Sequence, residues 1–134
     1  MVLPLRKKGI RISRDKWLRS IPKRLIEDFE KDDKGNIVII VELREKGLLS
    51  KILKIISTSP TPRYKRIVLD QMGSRVWMLC DGKHSIDDIV KILVRETGLS
   101  RRNIELAIYN FIKTLATKGL IELYIPVDEG GGSG

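Results

Sequence analysis

Residues 66–93 read RIVLDQMGSRVWMLCDGKHSIDDIVKIL, and the fold turns on how this run divides. Residues 64–69 alternate in strand fashion up to Asp70, whose short acceptor side chain suits a helix start. Over residues 71–80 the spacing becomes helical: Met72, Val76, Leu79 and Cys80 share a face, and Trp77 adds a large apolar area. Asp81 and Gly82 stop that helix, with the glycine where a left-handed residue closes the last turn. Ser85 and Asp88 then stand in the Ser-x-x-acid relation of a capping box, and Ile86, Ile89, Val90 and Leu93 follow at i, i+3, i+4 and i+7. The run is a strand, a helix, a tight turn and a second helix.

The same stretch holds the chain's one cysteine and one histidine, so it is also where an enzyme would reveal itself. Most of its polar residues are accounted for as punctuation: Asp81 and Gly82 end a helix, Ser85 and Asp88 begin one, and Asp87 complements the positive end of its dipole. Cys80 falls on the apolar face beside Val76, where a small thiol packs, and His84 falls in the turn as an exposed residue. A catalytic thiolate wants an activating histidine and an orienting acid, and a lone Cys and His cannot supply the ligands of a zinc site. No glycine-rich phosphate loop, nucleophile elbow or His-Glu-x-x-His helix occurs elsewhere. The expectation is a binding module with no catalytic residues, no metal and no cofactor.

Outward toward the C-terminus, Thr97-Gly98-Leu99 closes the second helix and Ser100 opens a third. There Ile104, Ala107, Ile108, Phe111, Ile112 and Leu115 form an apolar stripe that ends before Lys118-Gly119. Residues 120–125 alternate as a short edge strand, which Pro126 ends. Toward the N-terminus, residues 24–31 and 36–43 are strand-like and flank Asp32-Asp33-Lys34-Gly35, a β-hairpin. Leu48, Leu49, Ile52, Leu53 and Ile56 match one face of a basic amphipathic helix that stops at Ser59-Pro60-Thr61-Pro62. That helix packs on its own domain or lies on a membrane or a partner. A short helix is expected over residues 13–20.

The chain has 134 residues and 15.3 kDa, 42% apolar and 32% charged, the size and composition of one soluble globular domain. Its apolar runs, of which residues 37–41 are among the longest, are far short of the ~20 residues of a membrane span. The N-terminus lacks the apolar centre and cleavage site of a secretory signal, so a cytoplasmic location is expected. The net charge of +9 is local: residues 1–24 carry nine Lys/Arg against one Asp, and residues 50–69 carry five against none. The expected division is a basic arm at 1–24, a domain at 25–126 containing the basic connection 47–62, and a flexible glycine-rich tail at 127–134 of the kind added for expression.

Three short helices and a following strand suggest a winged helix-turn-helix, for which insertion of the third helix into a DNA major groove is one hypothesis. The cations of that helix, Arg101, Arg102, Lys113 and Lys118, lie at its two ends, and Glu105 stands where a phosphate-facing residue is wanted. Nucleic-acid binding through the basic arm therefore remains the alternative.

The segment 66–122 resembles the PqqD-like family, peptide chaperones also described as recognition elements for ribosomally made, post-translationally modified peptides. The resemblance rests on Leu69-Asp70, Gly73, Val76-Trp77, Asp81-Gly82, Ile86, Ile89, Leu115 and Gly119-Leu120, with a hairpin upstream. It implies an α+β, winged helix-turn-helix-like fold: a three-stranded antiparallel sheet, then three helices and a short C-terminal strand. It also implies a precursor leader peptide bound as an added strand along the third strand and under the third helix. By position, Tyr64, Lys65, Arg66, Ile67 and Val68 then lie along the guest strand, with backbone pairing at residues 65–68, while Arg102, Leu106, Tyr109 and Lys113 contact it from the helix. Leu106 and Tyr109 could equally widen the core stripe. The cations at 65, 66, 102 and 113 suggest an acidic leader, and the implied second partner is a radical S-adenosylmethionine or other peptide-modifying enzyme. The basic arm and the 47–62 connection depart from the short family form.

Overall fold

The computed structural model describes residues 12–43 and 63–127. In chain order the elements are α1 (Arg14–Arg19), β1 (Ile21–Arg24), β2 (Phe29–Lys31), β3 (Ile37–Leu43), β4 (Arg63–Val68), α2 (Gln71–Leu79), α3 (Ile86–Thr97), α4 (Arg101–Thr117) and β5 (Ile121–Tyr124). The arrangement is mixed α+β, an antiparallel sheet followed by helices, in the order expected of a winged helix-turn-helix-like fold. It forms two compact units, Asp28–Gln71 and Met1–Glu27 with Met72–Gly134.

The first unit is a three-stranded antiparallel sheet in the order β2-β3-β4. Its hairpin turn is organised by one carboxylate: Asp32 Oδ1 accepts from the backbone N–H groups of Lys34 and Asn36, both at 2.9 Å. Such Asx bonding is why aspartate favours turns. Of residues 24–31, expected as one strand of this hairpin, only Phe29–Lys31 pairs with β3. Arg24 belongs to β1, whose partner is β5. Strand-like composition marks a segment as extended without naming its neighbour. The amphipathic helix expected at residues 48–56, and the 47–62 connection as a whole, lie outside the described residues.

The second unit is built on α2, α3 and α4. The core-facing positions Val76, Trp77, Ile86, Ile89, Val90, Leu93, Ile104, Ile108 and Ile112 are all at most 1% exposed. Helix α3 carries the full capping box, Ser85 accepting from the Asp88 N–H at 3.0 Å while Asp88 accepts from the Ser85 N–H at 3.0 Å. It ends at Gly98, left-handed at φ 73°, whose N–H reaches the Val94 carbonyl. A three-residue connection, Gly98-Leu99-Ser100, leads directly to α4, where Ser100 accepts from Asn103 N–H. The expected stripe on α4 is right at Ile104, Ile108, Ile112 and Leu115, whereas Ala107 is exposed and Phe111 half-buried.

Residues 13–24, grouped by charge with a basic arm, supply a helix and a strand to this unit. Trp17 is buried, the Ser20 carbonyl accepts from Ile86 N–H at 2.8 Å, and β1 pairs with β5 in antiparallel register. On its other side β1 meets the turn after α2, through Arg24 N–H to the Cys80 carbonyl and Gly82 N–H to the Pro22 carbonyl, each 3.0 Å. Gly82 is needed there twice over. Its φ is +80°, and a Cβ would stand 3.3 Å from the Lys23 side chain. The Arg24 guanidinium, meanwhile, donates to the Trp77 and Met78 carbonyls at 2.9 and 3.0 Å, a cation on the negative end of α2. Among the described residues, no helix is long and apolar enough to cross a membrane.

Candidate functional site

Strand β4 has β3 on one side, and among the described residues no strand on the other. The register pairs Val38 with Val68, Ile39 with Ile67, Ile40 with Arg66, Val41 with Lys65 and Glu42 with Tyr64. Leu69 N–H donates to the Ile37 carbonyl at 2.8 Å, which fixes the phase of the ladder. Bonded and non-bonded pairs alternate in an antiparallel sheet, so Lys65 and Ile67 spend their backbone groups on β3. Tyr64, Arg66 and Val68 turn theirs to the open edge. Of residues 65–68, expected as a continuous block of backbone pairing, Arg66 and Val68 turn their backbone groups away from β3, as Tyr64 does, while those of Lys65 and Ile67 are spent on β3.

Side chains follow the same alternation. Tyr64, Arg66 and Val68 share one face of the sheet, and Tyr64 and Val68 are 58% and 61% exposed. An unpaired strand edge offers its backbone donors and acceptors to a further strand. The cation between Tyr64 and Val68 is occupied: Arg66 Nη2 lies 2.7 Å from Glu30 Oε1 on β2. Lys65 projects to the opposite face, beside Val41 and Ile67, and is exposed.

In the other unit, Arg102, Leu106, Tyr109 and Lys113 fall at i, i+4, i+7 and i+11 of α4, a single stripe. Leu106 is 60% and Tyr109 43% exposed, while Ile104, Ile108 and Ile112 carry the buried face. Leu106 thus stands away from the core, whereas Tyr109 is partly covered and packs on the buried Trp17. Tyr109 is held from two sides. The Trp17 ring meets it edge-on with centroids 5.3 Å apart, and Lys113 Nζ lies 5.7 Å from its centroid. Next to it, Arg14 clamps Glu105 with two bonds of 3.1 and 2.8 Å, and Arg101 adds a third at 2.7 Å. The hydrogen bond from Arg14, more than any other influence, holds the Glu105 carboxyl below its ordinary range. The acid that counted against this helix as a phosphate-facing surface is consequently neutralised on its α1 side. Sequence reading missed α1 as the flank of this surface; the one available signal was Trp17, a large aromatic in a six-residue helix.

The stretch 76–89 is structural. Cys80 is fully buried, and burial pushes its thiol up to about 12. His84, half-buried rather than exposed, places Nδ1 2.9 Å from Asp81 Oδ2. Burial works to raise the Asp81 carboxyl, but the N–H groups of Lys83 and His84 and the His84 ring outweigh it, and the net shift is downward. Asp87 bonds Arg101 and Lys91. Each of these groups is committed to a turn or a helix end. Among the described residues no group of three or more His, Cys, Asp or Glu side chains is placed to hold a metal ion.

Residues 61–121 match the family model described as coenzyme PQQ synthesis protein D (PqqD). The matched stretch takes in β4, α2, α3 and α4 and ends on the first residue of β5. No curated protein and no solved structure matches the chain.

Proposed function

We propose, from the premise that residues 61–121 make this a PqqD-like chain, that it captures the leader of a ribosomally synthesised precursor peptide by strand addition along β4 and presents it to a modifying enzyme. Members of the family are non-catalytic peptide chaperones, and this chain is one of their kind. The bond-making chemistry then belongs to a partner, which the resemblance suggests is a radical S-adenosylmethionine enzyme.

One observation carries the proposal: the open edge of β4, where Tyr64, Arg66 and Val68 direct backbone donors and acceptors outward between exposed apolar side chains. Strand addition uses such groups for affinity and alternate side chains for selectivity. The stripe Arg102, Leu106, Tyr109 and Lys113 on α4, in the helical unit, is proposed by itself as a second peptide-contacting surface. Titrating the chain, labelled with nitrogen-15, with a leader-derived peptide should shift or broaden the amide resonances of Tyr64, Arg66 and Val68 most strongly. Resonances of β4 that stay fixed at saturating peptide would sink the proposal.

A winged-helix nucleic-acid reading has one observation in its favour: Glu105 is tied to Arg14 and Arg101 instead of repelling phosphate. It would be supported by DNA binding with a steep salt slope that disappears when Arg6, Lys7, Lys8 and Arg11 are replaced by glutamine. Deleting residues 1–24 would be uninformative, since α1 and β1 are built into the folded unit.

A further inference from the structure

The strand-addition reading leaves open which extended segments β4 would accept, and the register narrows them. Arg66 already has its counter-charge in Glu30, 2.7 Å away on the same face, so it asks nothing of a guest. Lys65 has no carboxylate partner among the described residues. Its cross-strand neighbour is Val41, and the next residue of β4 on its face is Ile67. The two faces of this edge therefore differ. One presents Tyr64 and Val68 with a neutralised ion pair between them; the other presents an uncompensated ammonium next to an aliphatic side chain.

Resting on the strand-addition reading, we infer that β4 selects a two-faced guest: an acidic side chain opposite Lys65, and apolar side chains opposite Tyr64 and Val68. Every pairing in this sheet is antiparallel, and an added strand of the same sense continues it. The guest then pairs by hydrogen bonds opposite Tyr64, Arg66 and Val68. Opposite Lys65 and Ile67 it forms non-bonded pairs, where Cα atoms approach to about 4.5 Å and side chains lie closest. An acid placed opposite Lys65 thus meets its counter-charge at the tightest position of the ladder, and a lysine placed there meets a like charge. Read from its N-terminus, the guest core is apolar, apolar, neutral, acidic, apolar. The occupant is accordingly an acidic amphipathic strand rather than a basic or uniformly apolar one.

The probe is a fluorescein-labelled peptide with the core Val-Leu-Gln-Glu-Leu flanked by Ser-Gly repeats, compared with the same peptide carrying lysine in place of glutamate. Affinity is read by anisotropy and location by the Tyr64, Arg66 and Val68 amides, both with the full chain. The glutamate peptide should bind about tenfold more tightly than the lysine peptide, the scale of exchanging an attractive for a repulsive cross-strand pair. In a Lys65→Glu chain the preference should reverse, and in Lys65→Gln it should vanish. If both peptides shift the β4 amides with equal affinity, the charge rule is overturned while strand addition stands. If neither peptide shifts those amides at any concentration, the inference falls together with the reading beneath it.

Discussion

At the scale of single residues, local chemistry and distant chemistry part company. Cys80 reads correctly from the sequence because its place on one apolar face with Val76 and Leu79, all three buried, is fixed within a single helical turn. The Ser85–Asp88 capping box reads correctly for the same reason, since both partners stand three positions apart. Arg14 and Glu105, by contrast, are 91 positions apart, and no periodicity connects them. Trp17 and Tyr109 are hidden in the same way. Burial of Cys80 has a measurable consequence. With the thiol raised to about 12, the thiolate fraction at pH 8 is on the order of 10⁻⁴, and the thiolate is the form that reacts. Iodoacetamide should therefore leave the folded chain almost unlabelled at that pH and modify it fully in guanidinium. Labelling of the folded chain within tenfold of the denatured rate would place Cys80 in contact with solvent.

At the scale of elements, the helices are legible and the strand partners are not. Caps and 3.6-residue spacing give α3 and α4 to within a residue or two of their observed ends, because a helix satisfies its own backbone. A strand is completed by another segment, so the composition around Arg24 does not name β5 as its partner, and the phase of β4 is set only by its pairing with β3. That phase is open to test with proline, which removes one N–H and is tolerated in sheets only where that N–H faces outward. Val68→Pro should leave the β3–β4 ladder intact, with a cooperative unfolding transition close to that of the parent chain, while weakening peptide capture at least tenfold. Ile67→Pro strikes an inward-facing N–H and should destabilise the sheet by about 3 kcal/mol or more. Comparable stability in the two variants, or unchanged capture by Val68→Pro, would show that the edge has the opposite phase.

At the scale of the whole molecule, the sequence gives the sum of charges and its segments, whereas the structure shows which charges are committed. Within the helical unit, Arg14, Glu105, Arg101, Asp87 and Lys91 form one connected ion-pair chain joining α1, α3 and α4. Exposed pairs each contribute little, but their pH dependence has a definite sign. Hydrogen bonds from Arg101 and Lys91 hold the Asp87 carboxyl below its ordinary 3.8, and those from Arg14 and Arg101 outweigh burial to hold Glu105 below 4.5. A carboxyl depressed in the folded state binds fewer protons there than in the unfolded chain, so it adds stability above its ordinary value and loses that contribution as pH falls through the folded value. The unfolding midpoint should be nearly flat from about pH 7 to pH 5 and then drop below about pH 4.5. Glu105→Gln separates this ion-pair chain from the remaining carboxylates: the variant should be less stable than the parent at neutral pH, with the two curves converging as pH falls below the ordinary 4.5 of a glutamate. Parallel curves across the whole range would mean that Glu105 gains nothing from Arg14 and Arg101.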